Sequence, residues 1–307
     1  MRLVFLGTPR FAVPTLEAIV RAGHDVAAVL TQPDRPRDRG QQMAAPPVKE
    51  AALRLGLQVY QPERVRRPEA VEFLRGQNCE AMVVVGYGQI IPQNIIDMVP
   101  LGIINVHGSL LPKYRGAGPI QWAILNGETK TGVTTMRIDA GLDTGDMLLK
   151  SETEIGPEET APELGARLAA MGADLLVVTL AGLQNGSIVP EKQDNALATH
   201  ARLLTKEDGR IDWTRPAQAI HNQVRGLQPS PGAYTSFRGQ TLHIRRSRVA
   251  AAAARAGSVV SVRPLVVAAG EGGLELVEVQ SEGRKRMAAS DFANGRRLTE
   301  NEVLGDA

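Results

Sequence analysis

The sequence is poor in cysteine, in aromatic residues and in long apolar runs. Its 307 residues include one cysteine, and aromatic residues make up 4% of the chain. A single cysteine, Cys79, excludes an internal disulfide, and the five histidines are scattered without metal-ligand spacing. We therefore predict no bound metal and a reducing, cytoplasmic setting, with Cys79 as a small buried side chain.

Membrane and targeting patterns are also missing. No uninterrupted apolar run approaches the roughly 18 residues that a membrane-spanning helix needs. The segment MRLVFLGTP is interrupted by Gly7 and Pro9, which makes it too short for a signal peptide and typical of a first strand. We predict a soluble protein with no membrane partner.

The common nucleotide-binding and nucleophile motifs do not occur either. The chain has no GxGxxG, no Walker loop and no GxSxG. Its first turn, LGTPRFAVP, has one glycine followed by Thr8 and Pro9, so the dinucleotide fingerprint fails and we set NAD-linked redox chemistry aside.

What the first half does contain is an alternation of short β-rich runs with amphipathic helical patterns, as in LVFLG, FAVPTLEAIVRAG and VAAVLT. This predicts an α/β fold with a Rossmann-like, mostly parallel sheet and helices on both faces. The runs TGVTTMRID and DMLLKSETEI, joined by AGLDTG, predict an antiparallel pair. A long helical segment follows from about Glu158 to Gly186, although its interior glycines disfavour one unbroken helix.

The second half has a different pattern. Residues 188–207 lose periodicity and are typical of a linker. One helix and about five or six short strands with Gly-rich turns then predict a small, OB-like β-barrel. We therefore predict an α/β domain at 1–187, a linker at 188–207 and a C-terminal barrel domain at 208–307. From Asp208 onward the chain has about 14 Lys and Arg residues and about 10 Asp and Glu residues. This excess of positive charge fits either a polyanionic partner or a solvated basic surface.

Two polar residues end an otherwise apolar strand in GIINVHG. Asn105 and His107 are two apart, so their side chains project to the same face at the carboxyl end of the predicted strand, where open sheets bind ligands. An amide NH₂ and an imidazole N–H are both donors that can hold an oxyanion. A lone histidine beside a loop is more often structural, so this pair alone leaves both interpretations open.

The loop AGLDTGD supplies carboxylates on a turn between two predicted strands that could fold back beside this strand end. Asp139, Asp143 and Asp146 lie on it, and Gly141 and Gly145 allow close approach of the backbone to a ligand. Acidic residues in such turns usually cap the backbone, so the loop by itself is weak evidence for catalysis.

Together these segments resemble the folate-dependent formyltransferases. The resemblance lies in Asn105-Val106-His107, in the Ser109–Pro112 stretch SLLP and in the LDTG stretch that holds Asp143, and it continues through LGTPRFA, TQPDRPRDRG, VVVGYGQIIP, RIDW and GRKRM. It covers nearly the whole chain. It implies transfer of a formyl group from 10-formyltetrahydrofolate to the α-amino group of initiator methionyl-tRNA, the first domain being catalytic.

The same resemblance implies a site. Asn105, His107 and Asp143 are then the catalytic set, and the folate is held by Ser109, Leu110, Leu111 and Pro112. The stretch VVVGYGQIIP and the backbone of residues 138–142 are candidates for a pterin slot, with an ordinary core strand as the alternative interpretation.

Basic residues are candidates for the contact with the acceptor stem and 3′ end of the tRNA. The segment Thr31–Lys49 is a long polar loop interrupted by prolines, which predicts no packed structure. In the family such an insertion reaches the acceptor end, although a solvated loop is the alternative. The candidates are Arg35, Arg37, Arg39 and Lys49 in this loop, and Arg245, Arg246, Arg248, Arg284, Lys285 and Arg286 in the second domain.

Two other functions remain open at this point. One is formyl transfer to a small amine, such as glycinamide ribonucleotide or an amino sugar, which does not need the long loop together with a basic second domain. The other is a folate- or RNA-binding module without catalysis, which the intact Asn105, His107 and Asp143 disfavour. The family implies a monomer.

Overall fold

Two compact units make up the fold, and each draws on separate parts of the sequence. In the computed structural model, residues 1–37 and 42–305 are described, without the side chains of Arg37 and Gln42. The first unit comprises Met1–Gly116, Thr131–Thr153 and Gly165–His200. The second comprises Ala117–Lys130, Glu154–Leu164 and the residues from Ala201 onward. The division predicted above was contiguous, whereas two short segments of the first 187 residues group here with the second unit.

The described elements run in chain order. The strands are β1 (Arg2–Gly7), β2 (Asp25–Leu30), β3 (Arg35–Arg37), β4 (Gln42–Ala44), β5 (Val59–Tyr60), β6 (Ala81–Val85), β7 (Ile103–His107), β8 (Arg115–Gly116), β9 (Lys130–Arg137), β10 (Met147–Glu154), β11 (His200–Ala201), β12 (Ala233–Phe237), β13 (Gln240–Ala250), β14 (Val259–Val262), β15 (Leu265–Ala268), β16 (Gly273–Ser281) and β17 (Met287–Ala288). The helices are α1 (Val13–Arg21), α2 (Pro47–Arg54), α3 (Pro68–Gly76), α4 (Gln93–Ile96), α5 (Pro119–Leu125), α6 (Ala161–Gln184), α7 (Ala217–Gly226) and α8 (Ala289–Arg296).

The first unit is built on a seven-stranded sheet in the order β10-β9-β7-β6-β1-β2-β5. The strands β5, β2, β1, β6 and β7 are parallel, and β9 joins β7 antiparallel. Side chains of β1 alternate between two cores: Leu3 and Phe5 pack with α1, α2 and α6, and Val4 and Leu6 pack with α3 and α4. The predicted sheet with helices on both faces is confirmed.

Helix α6 is one unbroken helix of 24 residues, despite its glycines. A methyl group at Gly172 would lie 2.6 Å from Val106 Cγ1, and one at Gly182 would lie 2.7 Å from Ile188 Cδ1, so both glycines serve close packing. The helix is long and apolar enough to cross a membrane by length and composition alone. Its Leu176 and Leu180 are fully buried in the core beside β1, as expected of the core helix of a folded domain.

The second unit has an antiparallel sheet in the order β12-β13-β16-β15-β14, with β17 paired to β16. The predicted C-terminal β-domain is confirmed, but the predicted barrel is not closed, since among the described residues no pairing joins β12 to β14. Apolar side chains of α7 and α8, including Ile220 and Phe292, cover this sheet. Arg225 of α7 donates to the carbonyl oxygens of Gly156 and Glu159, both at 3.0 Å, which holds Glu154–Leu164 in this unit.

One buried histidine of the second unit makes its stability depend on pH. His221 on α7 is 3% exposed, with Nδ1 3.1 Å from Ser247 Oγ and Nε2 3.3 Å from the Pro157 carbonyl oxygen. Burial lowers the pKa of His221 below its usual value. Between that lowered pKa and the unfolded value of about 6.5 the unfolded chain binds more protons, so stability is full above about pH 6.5 and decreases as the pH falls.

We expect His221→Gln to make the melting temperature of the second unit less sensitive to acid. Between about pH 7.5 and about pH 5.5, calorimetry should record a larger fall in Tm for the wild-type chain than for the variant. The variant keeps some dependence because burial also lowers the pKa of His243, in the same unit. An equal fall in both proteins would contradict the role given to His221.

Candidate active site

Strand β7 places Asn105 and His107 side by side at the carboxyl end of the parallel strands. Asn105 pairs with Val84 of β6 and Met136 of β9, and His107 pairs with Thr134 of β9. The two side chains are 9% and 6% exposed. Buried polar groups of this kind need partners, and those partners come from two loops.

The loop after β9 brings Asp143 to this pair. Asp143 Oδ2 lies 3.6 Å from His107 Nδ1, and Asp143 Oδ1 lies 3.5 Å from Asn105 Nδ2. The Asp143 carboxylate also accepts a 2.8 Å hydrogen bond from the Gly116 backbone N–H. Asp139 supports the loop from the other side, because its Oδ1 accepts from the Gly141 N–H at 3.0 Å and from Thr144 Oγ1 at 2.7 Å.

The Tyr114 carbonyl oxygen determines which ring nitrogen of His107 carries a proton. His107 Nε2 lies 2.8 Å from the Tyr114 carbonyl oxygen. A carbonyl oxygen only accepts hydrogen bonds, so Nε2 carries a proton and donates it to Tyr114. Nδ1 is then the ring nitrogen that faces Asp143 and can exchange a proton at the site. The structure therefore brings together Asn105, His107 and Asp143 around one point.

Three further polar residues of the site were missed by sequence reasoning. Gln193 Nε2 donates to the carbonyl oxygens of Asp143 and Gly145, both at 2.8 Å. Gln193 Oε1 accepts from Arg115 Nε at 2.9 Å, and Arg115 Nη2 donates to Asn195 Oδ1 at 2.9 Å. Gln193 and Asn195 lie in the segment predicted as a linker. The polar stretch EKQDN was the available signal, but nothing local in it points to Asp143.

The segment Ser109–Pro112, which was expected to hold the folate, makes mostly contacts within the protein. Ser109 is fully buried; its Oγ donates to the Lys113 carbonyl oxygen, and its own carbonyl oxygen accepts from Thr134 Oγ1 at 2.7 Å. Leu111 is 1% exposed and packs in a small apolar cluster. Leu110 and Pro112 are half-buried, so they are the members of the set with side chains at the surface.

The candidate pterin segments present apolar surface near the same edge of the sheet. Ile90 is 89% exposed and Leu142 is 66% exposed, which is unusual for large aliphatic side chains. Tyr87 precedes Ile90 by three residues and is 1% exposed, and burial raises the pKa of its phenol. The stretch Val83–Pro92 is thus core strand as far as Val85, and Ile90 lies on the surface of the loop that follows.

The first turn fills the crevice between β1 and β6. Thr8 Oγ1 donates to the Tyr87 carbonyl oxygen at 3.0 Å, and a methyl group at Gly86 would lie 2.9 Å from Pro9 Cγ. The strand order reverses between β1 and β6, and in other open α/β sheets dinucleotides bind at such a reversal. The contacts of Thr8 and Pro9 give a structural reason for the missing glycine fingerprint.

The predicted loop Thr31–Lys49 is partly regular, which corrects the expectation that it lacks packed structure. β3 and β4 form an antiparallel ribbon in which Pro36 pairs with Met43, a position that an edge strand tolerates. Arg35 is exposed on β3, Arg37 lies on the same strand, and Arg39 lies outside the described residues.

Lys49 belongs to the start of α2 and forms an ion pair with Asp34 at 2.6 Å. Gln61 Nε2 also donates to Asp34, at 2.8 Å, and the two hydrogen bonds lower the pKa of that carboxyl group. Lys49 therefore already has a partner in the structure.

The predicted basic residues of the second unit lie near one another on β13 and after β16. Arg245 Nε donates to Gln280 Oε1 at 3.0 Å, and Gln280 Nε2 donates to the Arg284 carbonyl oxygen at 2.7 Å. Burial, with nearby Arg286, lowers the pKa of Arg245. We call this the basic surface; besides half-buried Arg245 it comprises the exposed side chains of Arg246, Arg284, Lys285 and Arg286.

Side chains that could ligate a metal ion are dispersed. Across residues 1–37 and 42–305, no three His, Cys, Asp or Glu side chains group in a way that could hold a metal ion.

Comparison with known proteins gives matches over both units. A family model described as formyl transferase matches residues 1–180, and one described as formyl transferase, C-terminal domain, matches residues 203–297. A methionyl-tRNA formyltransferase of Solibacter usitatus (strain Ellin6076) is 77% identical over 308 residues, covering 100% of this chain and 99% of that protein. One of Koribacter versatilis (strain Ellin345) is 56% identical, covering 99% of each.

Solved structures share the fold at low identity. An N-formyltransferase from Helicobacter canadensis, in complex with folinic acid and dTDP-3-aminofucose, has a TM-score of 0.66 and 20% identity, covering 91% of this chain and 98% of that one. HypX from Aquifex aeolicus, in complex with tetrahydrofolic acid, has a TM-score of 0.66 and 14% identity, covering 98% of this chain and 48% of that one. At these identities the likeness concerns the fold.

The loop that carries Asp143 has no space for a side chain at Gly145. A methyl group there would lie 2.0 Å from the Arg137 carbonyl oxygen, which is backbone and cannot move alone. We expect Gly145→Ala to lower the melting temperature by about 3 °C or more, the usual scale for an overpacked site. Gly76→Ala is the control, because nothing lies within 4 Å of the added methyl group. Equal melting temperatures in both variants would contradict the tight packing of this loop.

Proposed function

This chain belongs to the formyl transferase family, and from that premise we propose that it transfers the formyl group of 10-formyltetrahydrofolate to the free α-amino group of initiator methionyl-tRNA. Relatives named methionyl-tRNA formyltransferase match this chain over nearly its whole length, which supports methionyl-tRNA as the formyl acceptor. The observation that supports the chemistry is the convergence of Asn105, His107 and Asp143 at one point.

The proposed mechanism follows from the donors at that point. Attack of a neutral amine on a formyl carbon places negative charge on the formyl oxygen. The Asn105 amide and His107 Nδ1, once protonated, are donors that stabilise this charge, each by about 3 kcal/mol of barrier. His107 Nε2 is not available for this, because it donates to Tyr114.

Asp143 is assigned the proton transfer. The attacking amine becomes cationic and must lose a proton, and the N10 nitrogen of the folate takes up a proton as its bond to the formyl carbon breaks, which leaves tetrahydrofolate. The Asp143 carboxylate is within one water molecule of His107 Nδ1, at 3.6 Å, so it can take that proton through water or stabilise the imidazolium. The Gly116 N–H keeps the carboxylate oriented during this step.

For the folate we propose contacts with Leu110 and Pro112, together with the exposed Ile90 and Leu142. An aromatic pterin needs an apolar surface with a few backbone partners, and these side chains provide apolar surface at this edge of the sheet. Ser109 and Leu111 would act indirectly, by holding the segment in place.

For the tRNA we propose contacts with the basic surface and with Arg35. The ribbon of β3 and β4 and the arginines of the second unit are features that a small amine acceptor does not require. Lys49 contributes to this contact only if it exchanges Asp34 for a phosphate. The proposal includes a monomer acting in the cytoplasm, where translation begins.

Assays with purified protein test the proposal. Incubation with 10-formyltetrahydrofolate and either methionyl-tRNA, glycinamide ribonucleotide or an amino-sugar nucleotide should give a formylated product only with the tRNA. His107→Ala and Asp143→Asn should each lower kcat at least about a hundredfold, with tRNA affinity nearly unchanged. Matched controls are His200→Ala and Asp174→Asn, which change exposed residues. Near-normal turnover in either site variant, or formylation of a small amine alone, would refute it.

The basic surface is tested by salt dependence. Replacing Arg284, Lys285 and Arg286 together with alanine should weaken tRNA binding and reduce the slope of log Kd against log salt by about one to three, because phosphate contacts release counterions. The control replaces Arg21, Arg54 and Arg75 with alanine, which removes the same charge from exposed positions of the first unit. A slope that changes equally in both triple variants would rule out a local contact.

A further inference from the structure

Asp143 has a backbone conformation that is uncommon for residues other than glycine. Its φ angle is 53°, in the left-handed region, which aspartate tolerates better than most residues with a Cβ. The surrounding contacts help to hold it there. The carboxylate position that the proposed reaction needs therefore depends on whatever fixes the turn at residues 143–145.

Gln193 is the side chain that spans this turn. Its Nε2 donates to the carbonyl oxygens of Asp143 and of Gly145, both at 2.8 Å. Two bonds from one NH₂ group to carbonyls on either side of Thr144 define the orientation of both peptide planes. The Gln193 side chain approaches the Asp143 main chain, whereas the Asp143 carboxylate is held separately by the Gly116 N–H.

Arg115 fixes which way the Gln193 amide points. A guanidinium group only donates, so the group that faces Arg115 Nε at 2.9 Å must be the Gln193 oxygen. The NH₂ group is thereby directed to the turn, where the carbonyl oxygens of Asp143 and Gly145 accept its two hydrogen bonds. Arg115 is 5% exposed, and its Nη2 donates to Asn195 Oδ1 at 2.9 Å, so the guanidinium is held on both sides.

The two supports of Asp143 come from neighbouring residues. Gly116 holds the carboxylate through its backbone N–H, and Arg115 holds the turn through Gln193. A change at Gln193 should therefore move the carboxylate relative to the Gly116 N–H without removing any group that meets a substrate.

We propose that Gln193 and Arg115 are positioning residues that hold Asp143 for proton transfer, an inference that rests on the proposed function. Neither the Gln193 nor the Arg115 side chain contacts the reacting atoms in the proposed mechanism. Their effect should appear in kcat and in its pH dependence, with little change in the KM of either substrate.

The test variant is Gln193→Met, which keeps the side-chain length and removes both hydrogen bonds. We expect kcat to fall about 10- to 100-fold, with KM for methionyl-tRNA and for 10-formyltetrahydrofolate within about threefold. The pH profile of kcat should also differ from that of the wild type, because the carboxylate that exchanges the proton is displaced from the Gly116 N–H. Arg115→Lys, which keeps the charge but not the fork, should show the same changes to a smaller degree.

Gln223→Met is a matched control in the second unit. Gln223 is 4% exposed and its Nε2 likewise donates to two carbonyl oxygens of one turn, those of Asp208 at 2.7 Å and Arg210 at 3.0 Å. We expect this variant to lower the melting temperature while leaving kcat and its pH profile unchanged. An unshifted pH profile for Gln193→Met, with a loss of stability like that of the control, would overturn the proposal.

A readout without activity separates this inference from the function on which it rests. Hydrogen exchange of the peptide covering residues 139–147 should be faster in Gln193→Met than in the wild type, and unchanged in Gln223→Met. If Gln193→Met fails to fold, Asn195→Leu, which removes one support of Arg115, should show faster exchange at the same peptide. Unchanged exchange in the folded variant would refute the positioning role. A wild-type chain that does not formylate methionyl-tRNA would instead refute the proposed function.

Discussion

The candidate active site depends on the backbone of Tyr114–Gly116. The Tyr114 carbonyl oxygen accepts from His107 Nε2, and the Gly116 N–H donates to the Asp143 carboxylate. Backbone φ angles of 62° at Tyr114 and 113° at Gly116 turn these two groups in the required directions. One short segment thus sets the proton on His107 through a backbone carbonyl and the position of the Asp143 carboxylate through a backbone N–H.

The parallel sheet supplies the other half of the arrangement. Because β7 lies between β6 and β9, Asn105 is paired on both sides and His107 is paired with β9, so both project from a rigid element. The loops then need only carry one carboxylate to them. At the same sheet edge, Thr8 donates a hydrogen bond to the Tyr87 carbonyl oxygen and Pro9 packs against Gly86, so the turn after β1 is tied to the segment after β6.

Local patterns in the sequence were sufficient for the sheet, its helices and the polar end of β7, because periodicity and strand ends are local properties. Asp143 came from resemblance, and acids on a turn are otherwise ambiguous. Gln193 and Arg115 could not be predicted, since they are 78 residues apart and Gln193 is 50 residues from Asp143. Ser109 and Leu111 were expected to hold folate, but their burial gives them internal partners. The ribbon of β3 and β4 was missed because prolines suggested a broken loop, although an edge strand accepts them.

The central claim is that the Tyr114 carbonyl fixes the proton of His107 on Nε2, so that Nδ1 is the nitrogen that faces Asp143. Nitrogen NMR of protein labelled in its five histidines measures this directly, with the His107 signals assigned by comparison with a His107→Asn variant. We predict that Nε2 of His107 remains protonated across the pH range in which the protein is folded, and that any change of protonation occurs at Nδ1. A neutral imidazole with its proton on Nδ1 and a bare Nε2 would contradict the account.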